Sequence, residues 1–187
     1  MSRGARERLL SSAVTLFRRS GIAGCGVAEI LAHSGAGRGS IYTHFPGGKA
    51  ELAEEAVRTS GQDLTDLITT VVDQQGLADG LHALIEYWRD MLRSTGYAES
   101  CPILSAALQN DATAAQRAAG DVFRDWHEAL TGILRAEPAT SDRADTLATL
   151  IIAAVEGAIA LARGQHSLAP LDAVEAELAH LLGLAGE

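Results

Sequence analysis

Apolar side chains recur along this chain at the three-to-four-residue interval of an α-helix. Leu9, Leu10, Ala13, Val14, Leu16 and Phe17 form the first set, which predicts an amphipathic helix over residues 3–20 closed by Gly21 as a C-cap. Val27, Ile30 and Leu31 face inward on a second helix that runs to about His33. Ser34-Gly35-Ala36-Gly37 reads as a turn, and Arg38 to His44 as a third helix that Pro46-Gly47-Gly48 stops. Two short helices joined by a tight, Gly-containing turn are a helix-turn-helix outline.

Longer helices follow. A fourth is expected from Lys49 to about Asp73 on Leu52, Ala56, Val57, Leu64, Ile68 and Val71, and a fifth on Leu81, Leu84, Ile85, Trp88 and Leu92. Pro102 opens a short sixth, since proline is tolerated in a first helical turn. Asn110-Asp111 is expected to cap a seventh that Glu137-Pro138 breaks, Thr140 or Ser141 to cap an eighth, and Pro170 to begin a ninth. The chain therefore reads as all-α, with a three-helix head (1–47) and a larger helical body (48–187). The eighth helix is apolar nearly all round, and a helix of that kind must be covered on more than one side. A second copy is the expected cover, across Leu147, Ile151 and Val155 and the ninth helix's Leu178 and Leu181; the alternative is a helix wholly inside its own fold.

Composition agrees with a helical protein: 187 residues, 47% hydrophobic, 4% aromatic and four prolines. No uncharged apolar run reaches membrane-spanning length; the nearest, Leu147 to Ala162, is interrupted by Glu156. The Arg-rich N-terminus lacks an apolar signal core, and Cys25 and Cys101 show neither CxxC nor ligand spacing, which together fit a reducing cytoplasm and no metal site. The net charge of −9 argues against nucleic acid until its distribution is considered. Residues 1–50 carry seven basic and two acidic groups (+5), and the remainder eight and twenty-two (−14). A basic head on an acidic body is a footprint of nucleic-acid binding, chance clustering on a solvated helix being the alternative.

The third helix carries the candidate chemistry. Ser40, Tyr42 and His44 offer a hydroxyl, a phenol and an imidazole, with Arg38 and Lys49 on either side, while Ile41 and Phe45 fall on the core side. Val27-x-x-Ile30, Gly35 to Ile41, Tyr42-x-His44-Phe45-Pro46-x-Gly48-Lys49 and Leu52 together resemble the DNA-binding head of the TetR family of bacterial transcriptional regulators. The Gly47-to-Ala56 stretch and Cys101-Pro102-Ile103 further resemble its LmrA and YxaF branch. The resemblance implies a nine-helix architecture whose third helix lies in the major groove of a palindromic double-stranded operator. It implies that Arg38, Gly39, Ser40, Tyr42, His44 and Lys49 meet DNA, with Tyr42, His44 and Lys49 on phosphates; Arg38 suits a guanine edge or a phosphate equally. The family's usual Thr or Ser at the start of helix 2 is replaced here by Cys25-Gly26, which weakens that cap. Cys25 reads as a small buried hydrophobe or as a reporter of thiol chemistry, and Cys101 as a core residue at a helix start or as a thiol sensor.

The same resemblance implies a homodimeric, ligand-binding body, with repression as the default and activation left open. Tyr87, Trp88, Met91, Phe123, Trp126, His127 and Glu156 are the candidate liners of an effector site, being aromatic or polar groups on apolar faces, and the core aromatics pack there with or without a ligand. Glu156, inside an apolar helix, must be paired, exposed or functional; Arg89, Arg93 and Arg163, a dimer contact and a cationic ligand are its candidate partners. The alternatives to a regulator are an all-helical enzyme, for which no HExxH, nucleophile arrangement or phosphate loop is present, and a helical scaffold that keeps only the helix-turn-helix outline. No cofactor is expected.

Overall fold

Nine α-helices and one 3-10 turn, with no strand, make up the regular structure of the described residues, 4–109 and 113–184, in a computed structural model of the chain. The helices are α1 (Ala5–Gly24), α2 (Val27–Ser34), α3 (Ser40–His44), α4 (Lys49–Gln75), α5 (Leu77–Ser94), α6 (Pro102–Ala107), α7 (Ala114–Ala136), α8 (Ala144–Gln165) and α9 (Ala169–Leu181), with the 3-10 turn at Ser141–Arg143 before α8. Gly21 breaks α1 with φ +71°, ψ 169°, so the regular helix ends where the sequence puts its C-cap. Gly35 ends α2 in the left-handed region, its N–H donating to the carbonyl of Leu31.

Packing divides the chain into two units. One takes in the chain to Gly61 together with Cys101–Val122; the other comprises Gln62–Ser100 and the chain from Phe123 onward. α6 is remote in sequence yet packs on α1, which brings the stretch from Cys101 into the first unit. The first unit buries Leu9, Phe17, Ile30, Ile41, Phe45, Leu52 and Ile103. Each such side chain contributes about 1.5–3 kcal/mol. In the second unit α5, α8 and α9 pack together around Ile85, Leu92, Leu147, Ile159, Leu171 and Leu178. Arg89 of α5 fastens α9. Its Nη2 lies 2.6 Å from both Asp172 Oδ1 and Glu175 Oε2, and its Nη1 donates to Glu86 Oε1 at 2.6 Å. Burial pulls this guanidinium's pKa down, but the bonds to Glu86, Glu175 and Asp172 outweigh it and hold it above the ordinary arginine value.

One helix start differs from expectation. Thr140 does not cap α8: its Oγ1 donates to the Leu134 carbonyl at 2.7 Å, so it satisfies a carbonyl at the end of α7 instead. The 3-10 turn intervenes, and α8 begins without a side-chain cap. The expected Asn110-Asp111 cap of α7 lies outside the described residues; Thr113 Oγ1 accepts from the Gln116 N–H at 3.1 Å, the geometry of an N-cap. At α6 the cap is Cys101, whose Sγ accepts from the Leu104 N–H at 3.5 Å.

The all-round apolar helix α8 is resolved toward its own core. Leu147, Ile151 and Val155, and Leu178 of α9, which the sequence nominates for a dimer face, are buried within the single chain. Leu181 is 38% exposed, and the apolar surface that α8 leaves open is Leu150 and Leu161, with Ala153, Gly157 and Ala160 on the same exposed side. Ser141–Gln165 is long and apolar enough to cross a membrane by length and composition, the one such helix among the described residues; 44% of its window is buried inside the fold, as in a core helix.

Candidate nucleic-acid interface and effector cavity

Helix α3 is five residues long, so its two faces are set by few side chains. Ile41 and Phe45, four residues apart, stack on one side and are fully buried. Tyr42, rotated about 100° from Ile41 on the helix, is 62% exposed. Arg38, Gly39 and Thr43 are exposed as well, and Ser40, His44 and Lys49 are half-buried at the margin. The sequence reading misses Thr43, whose outward position follows from the same periodicity; its Oγ1 donates to the Gly39 carbonyl at 3.2 Å. Ser40 Oγ donates to the Gly37 carbonyl at 2.6 Å, which pins the hydroxyl at the start of the helix. The named residues therefore stand exposed or half-buried in and beside α3, within one unit, with basic groups on both flanks.

The surrounding elements hold this face in place. Arg8 Nε donates to the Ser34 carbonyl at 3.2 Å, and His33 Nδ1 lies 2.9 Å from Ser12 Oγ, so α1 is tied to the end of α2 twice. Arg6 pairs with Glu55 at 2.5 Å and its guanidinium lies 5.1 Å from the centre of the Phe45 ring. After α3 the chain turns through Gly48, at φ +64°, and the Gly47 N–H donates to Glu51 Oε2 at 2.7 Å, which brings Lys49 to the same margin. At the start of α2, Gly26 provides no side-chain cap. Cys25 is buried beside it, and that burial, reinforced by the charge of Glu29, pushes the thiol's pKa up.

The second unit contains a narrow slot of about 540 Å³, counted with its open mouth. Leu64, Thr65, Ile68 and Thr69 of α4 line it, with Leu84 and Trp88 of α5, Trp126, Ala129, Leu130 and Ile133 of α7, and Ile151, Ile152, Val155 and Glu156 of α8. Of the residues that the sequence nominates for an effector site, Trp88, Trp126 and Glu156 meet here. The others do not. Tyr87 and Met91 edge a shallow depression with Asp90 and Arg93, Phe123 stands edge-on to Trp126 at 5.6 Å without lining the slot, and His127 Nε2 donates to the Asp145 carbonyl at 3.1 Å. Of the nearby arginines, Arg89 binds the acidic cluster, Arg93 lies 3.3 Å from Asp90, and Arg163 donates to Ser100 Oγ at 3.3 Å. Among the described residues no cluster of His, Cys, Asp and Glu is arranged to hold a metal ion.

A helix-turn-helix head with one exposed, basic-flanked polar face, and an all-helical body around an apolar slot, define a transcriptional regulator that binds DNA. The chain belongs to the TetR family of these regulators: residues 9–56 match the model of the bacterial regulatory proteins of the tetR family, and residues 78–177 that of the LmrA/YxaF-like transcriptional regulator C-terminal domain. An uncharacterised HTH-type transcriptional regulator of Mycobacterium tuberculosis is 37% identical over 187 residues, covering 96% of this chain and 94% of that protein. The HTH-type transcriptional regulator LmrA of Bacillus subtilis is 31% identical, covering 89% and 90%. Among solved structures, a TetR regulator from Rhodobacter sphaeroides matches the fold with a TM-score of 0.84 at 20% identity, over 95% of this chain and 98% of that one.

Proposed function

We propose that the protein is a ligand-responsive repressor of the cytoplasm, acting as a homodimer on a palindromic operator and releasing it when a small hydrophobic effector occupies the slot. The observation that carries this reading is the division of α3, with Ile41 and Phe45 fully buried and Tyr42 exposed, so that one face of a short helix is free for a groove. In this reading Tyr42, His44 and Lys49 hold phosphates and fix the register, while Arg38, Ser40 and the bare Gly39 stand nearest the bases. The two heads of a dimer meet half-sites about one helical turn, ~34–36 Å, or a multiple apart. Helix α4 begins at Lys49 and contributes Leu64, Thr65, Ile68 and Thr69 to the slot, so one element serves both sites. An effector that binds the DNA-competent and DNA-released states with different affinity shifts the population between them. The protein has no catalytic part in this scheme and does not enter a membrane.

Replacing Tyr42 by Phe together with Lys49 by Ala tests the assignment. Loss of two phosphate contacts lowers affinity for the DNA flanking the gene about tenfold or more and flattens the salt dependence, with the dimer unchanged in sedimentation. Dissociation to monomers, or unaltered DNA affinity, contradicts it.

A further inference from the structure

We propose that Lys49 is a modification site, and that acylation of its side-chain amine by an acyl phosphate or an acyl thioester releases the α3 face from DNA. This rests on that face meeting DNA, as proposed above, and adds a route to release that needs no occupant in the slot. Of the chain's 15 basic side chains 14 are arginines, and Lys49 is the single lysine. A guanidinium stays protonated and is not acylated, whereas an ε-ammonium gives up its proton and reacts. Acylation to a stable side-chain amide therefore converges on one residue of 187, and that residue borders the helix taken to meet DNA.

Local structure leaves this amine available. Lys49 makes no hydrogen bond or ion pair among the described residues, its charge bears on the buried Cys25 thiol, and its Nζ is open to solvent. Neighbouring arginines of the same unit are engaged: Arg6 with Glu55, Arg8 with the Ser34 carbonyl, and Arg58 with Glu54 and Asp121. Nor does Lys49 serve its own helix. It is the first residue of α4, at the end whose dipole favours anions, and Glu51 of the same turn already accepts from the Gly47 N–H. A cation that costs its helix a little and is bonded to nothing in the described chain points to a partner outside it. For a phosphate alone an arginine would serve as well, through its two-pronged fork. What lysine adds is a charge that can be removed.

In the step itself the ammonium loses a proton to water, and the Nζ lone pair attacks the acyl carbonyl carbon. The N–C bond forms, the carbonyl carbon's bond to the phosphate oxygen or the thiol sulfur breaks, and the leaving group takes that electron pair. A second proton leaves nitrogen. The product is a neutral amide, so the DNA phosphate loses its counter-charge and meets added bulk in its place.

The test treats the full chain with acetyl phosphate in one arm and acetyl-coenzyme A in another. Mass spectrometry follows acetylation at Lys49, and affinity for the DNA flanking the gene is measured before and after. Folded Lys49 should acetylate within about threefold of its rate in urea, its amine being in water. Bound flanking DNA should slow the reaction at least about tenfold by covering the amine. Acetylation should weaken DNA binding about tenfold per modified head and lower the log–log salt slope by about one per head. The melting temperature should not fall, because the lost charge stood at the unfavourable end of α4. Lys49→Arg, whatever its own affinity, should not respond to treatment, which separates Lys49 from the chain's α-amino group. Reaction with either donor supports the site, and the donor that reacts names the source. DNA affinity unchanged by acetylation overturns the switch, as does a folded Lys49 more than about tenfold slower than in urea. A treated Lys49→Arg that loses DNA as the parent does overturns the assignment to Lys49. Failure of the untreated chain to bind the flanking DNA is seen first, and overturns the reading of the α3 face together with the switch.

Discussion

Gly48 lies against Tyr42 so closely that a Cβ there would sit 3.1 Å from Cε1 of the phenol ring. Gly48 also holds φ at +64°, where an L side chain is strained. The exposed phenol and the turn into α4 are therefore one feature: the missing Cβ lets the chain reverse directly beneath the ring. Gly48→Ala should lower stability by about 1–2 kcal/mol and displace Tyr42, weakening DNA binding beyond what the stability loss explains. Gly96→Ala is the matched control, with φ +59° and open space around it. It should show a comparable stability loss in urea unfolding with DNA affinity unchanged; equal DNA affinity in both variants would separate Gly48 from the interface.

The exposed side of α8 tests dimerisation. Leu161 is 55% exposed, whereas Ile151 is buried in its own chain. Leu161→Glu should yield folded monomers by sedimentation, with helical circular dichroism retained. Ile151→Glu should instead destabilise the chain by several kcal/mol, about the cost of an unpaired charge in a core. A Leu161→Glu protein that sediments as the parent does would place the interface elsewhere.

The contrast between these two residues shows where the sequence is readable. On α3 the phase is unambiguous, because Ile41 and Phe45 are apolar and their neighbours polar, so the buried and free faces follow from periodicity alone. On α8 nearly every turn is apolar in every direction, so periodicity has no phase and cannot tell the side facing the chain's own core from the side left open. The slot falls between these cases. Trp88 and Trp126 are found from their stripes, but Tyr87 and His127 are each one residue away, about 100° around their helices, and point elsewhere. The capping of α6 by a thiol was illegible for another reason: cysteine is not among the side chains that mark helix starts, and only the 3.5 Å geometry reveals it.

The thiols give a chemical prediction. Burial holds Cys25 in its neutral form to higher pH than a free cysteine, and the thiolate is the reactive species. At pH 8 the folded chain should therefore alkylate at Cys25 at least about tenfold more slowly than the urea-unfolded chain, with the rate rising as pH passes the ordinary thiol range. Cys101 is buried as well. Mass-spectrometric timing of iodoacetamide labelling at each site checks this, and labelling of native Cys25 at the unfolded rate would show an accessible, sensing thiol.

In the proposed reading the basic-flanked face of α3 binds DNA although the net charge of the whole chain is −9. The most direct measurement is the affinity of the purified protein for the DNA flanking its gene, against scrambled DNA of equal length, across a salt series. The flanking DNA should bind more tightly, with a log–log slope set by several phosphate contacts, so that raising salt from 50 to 200 mM costs about a hundredfold or more. Binding without sequence preference, or affinity indifferent to salt, would contradict this reading.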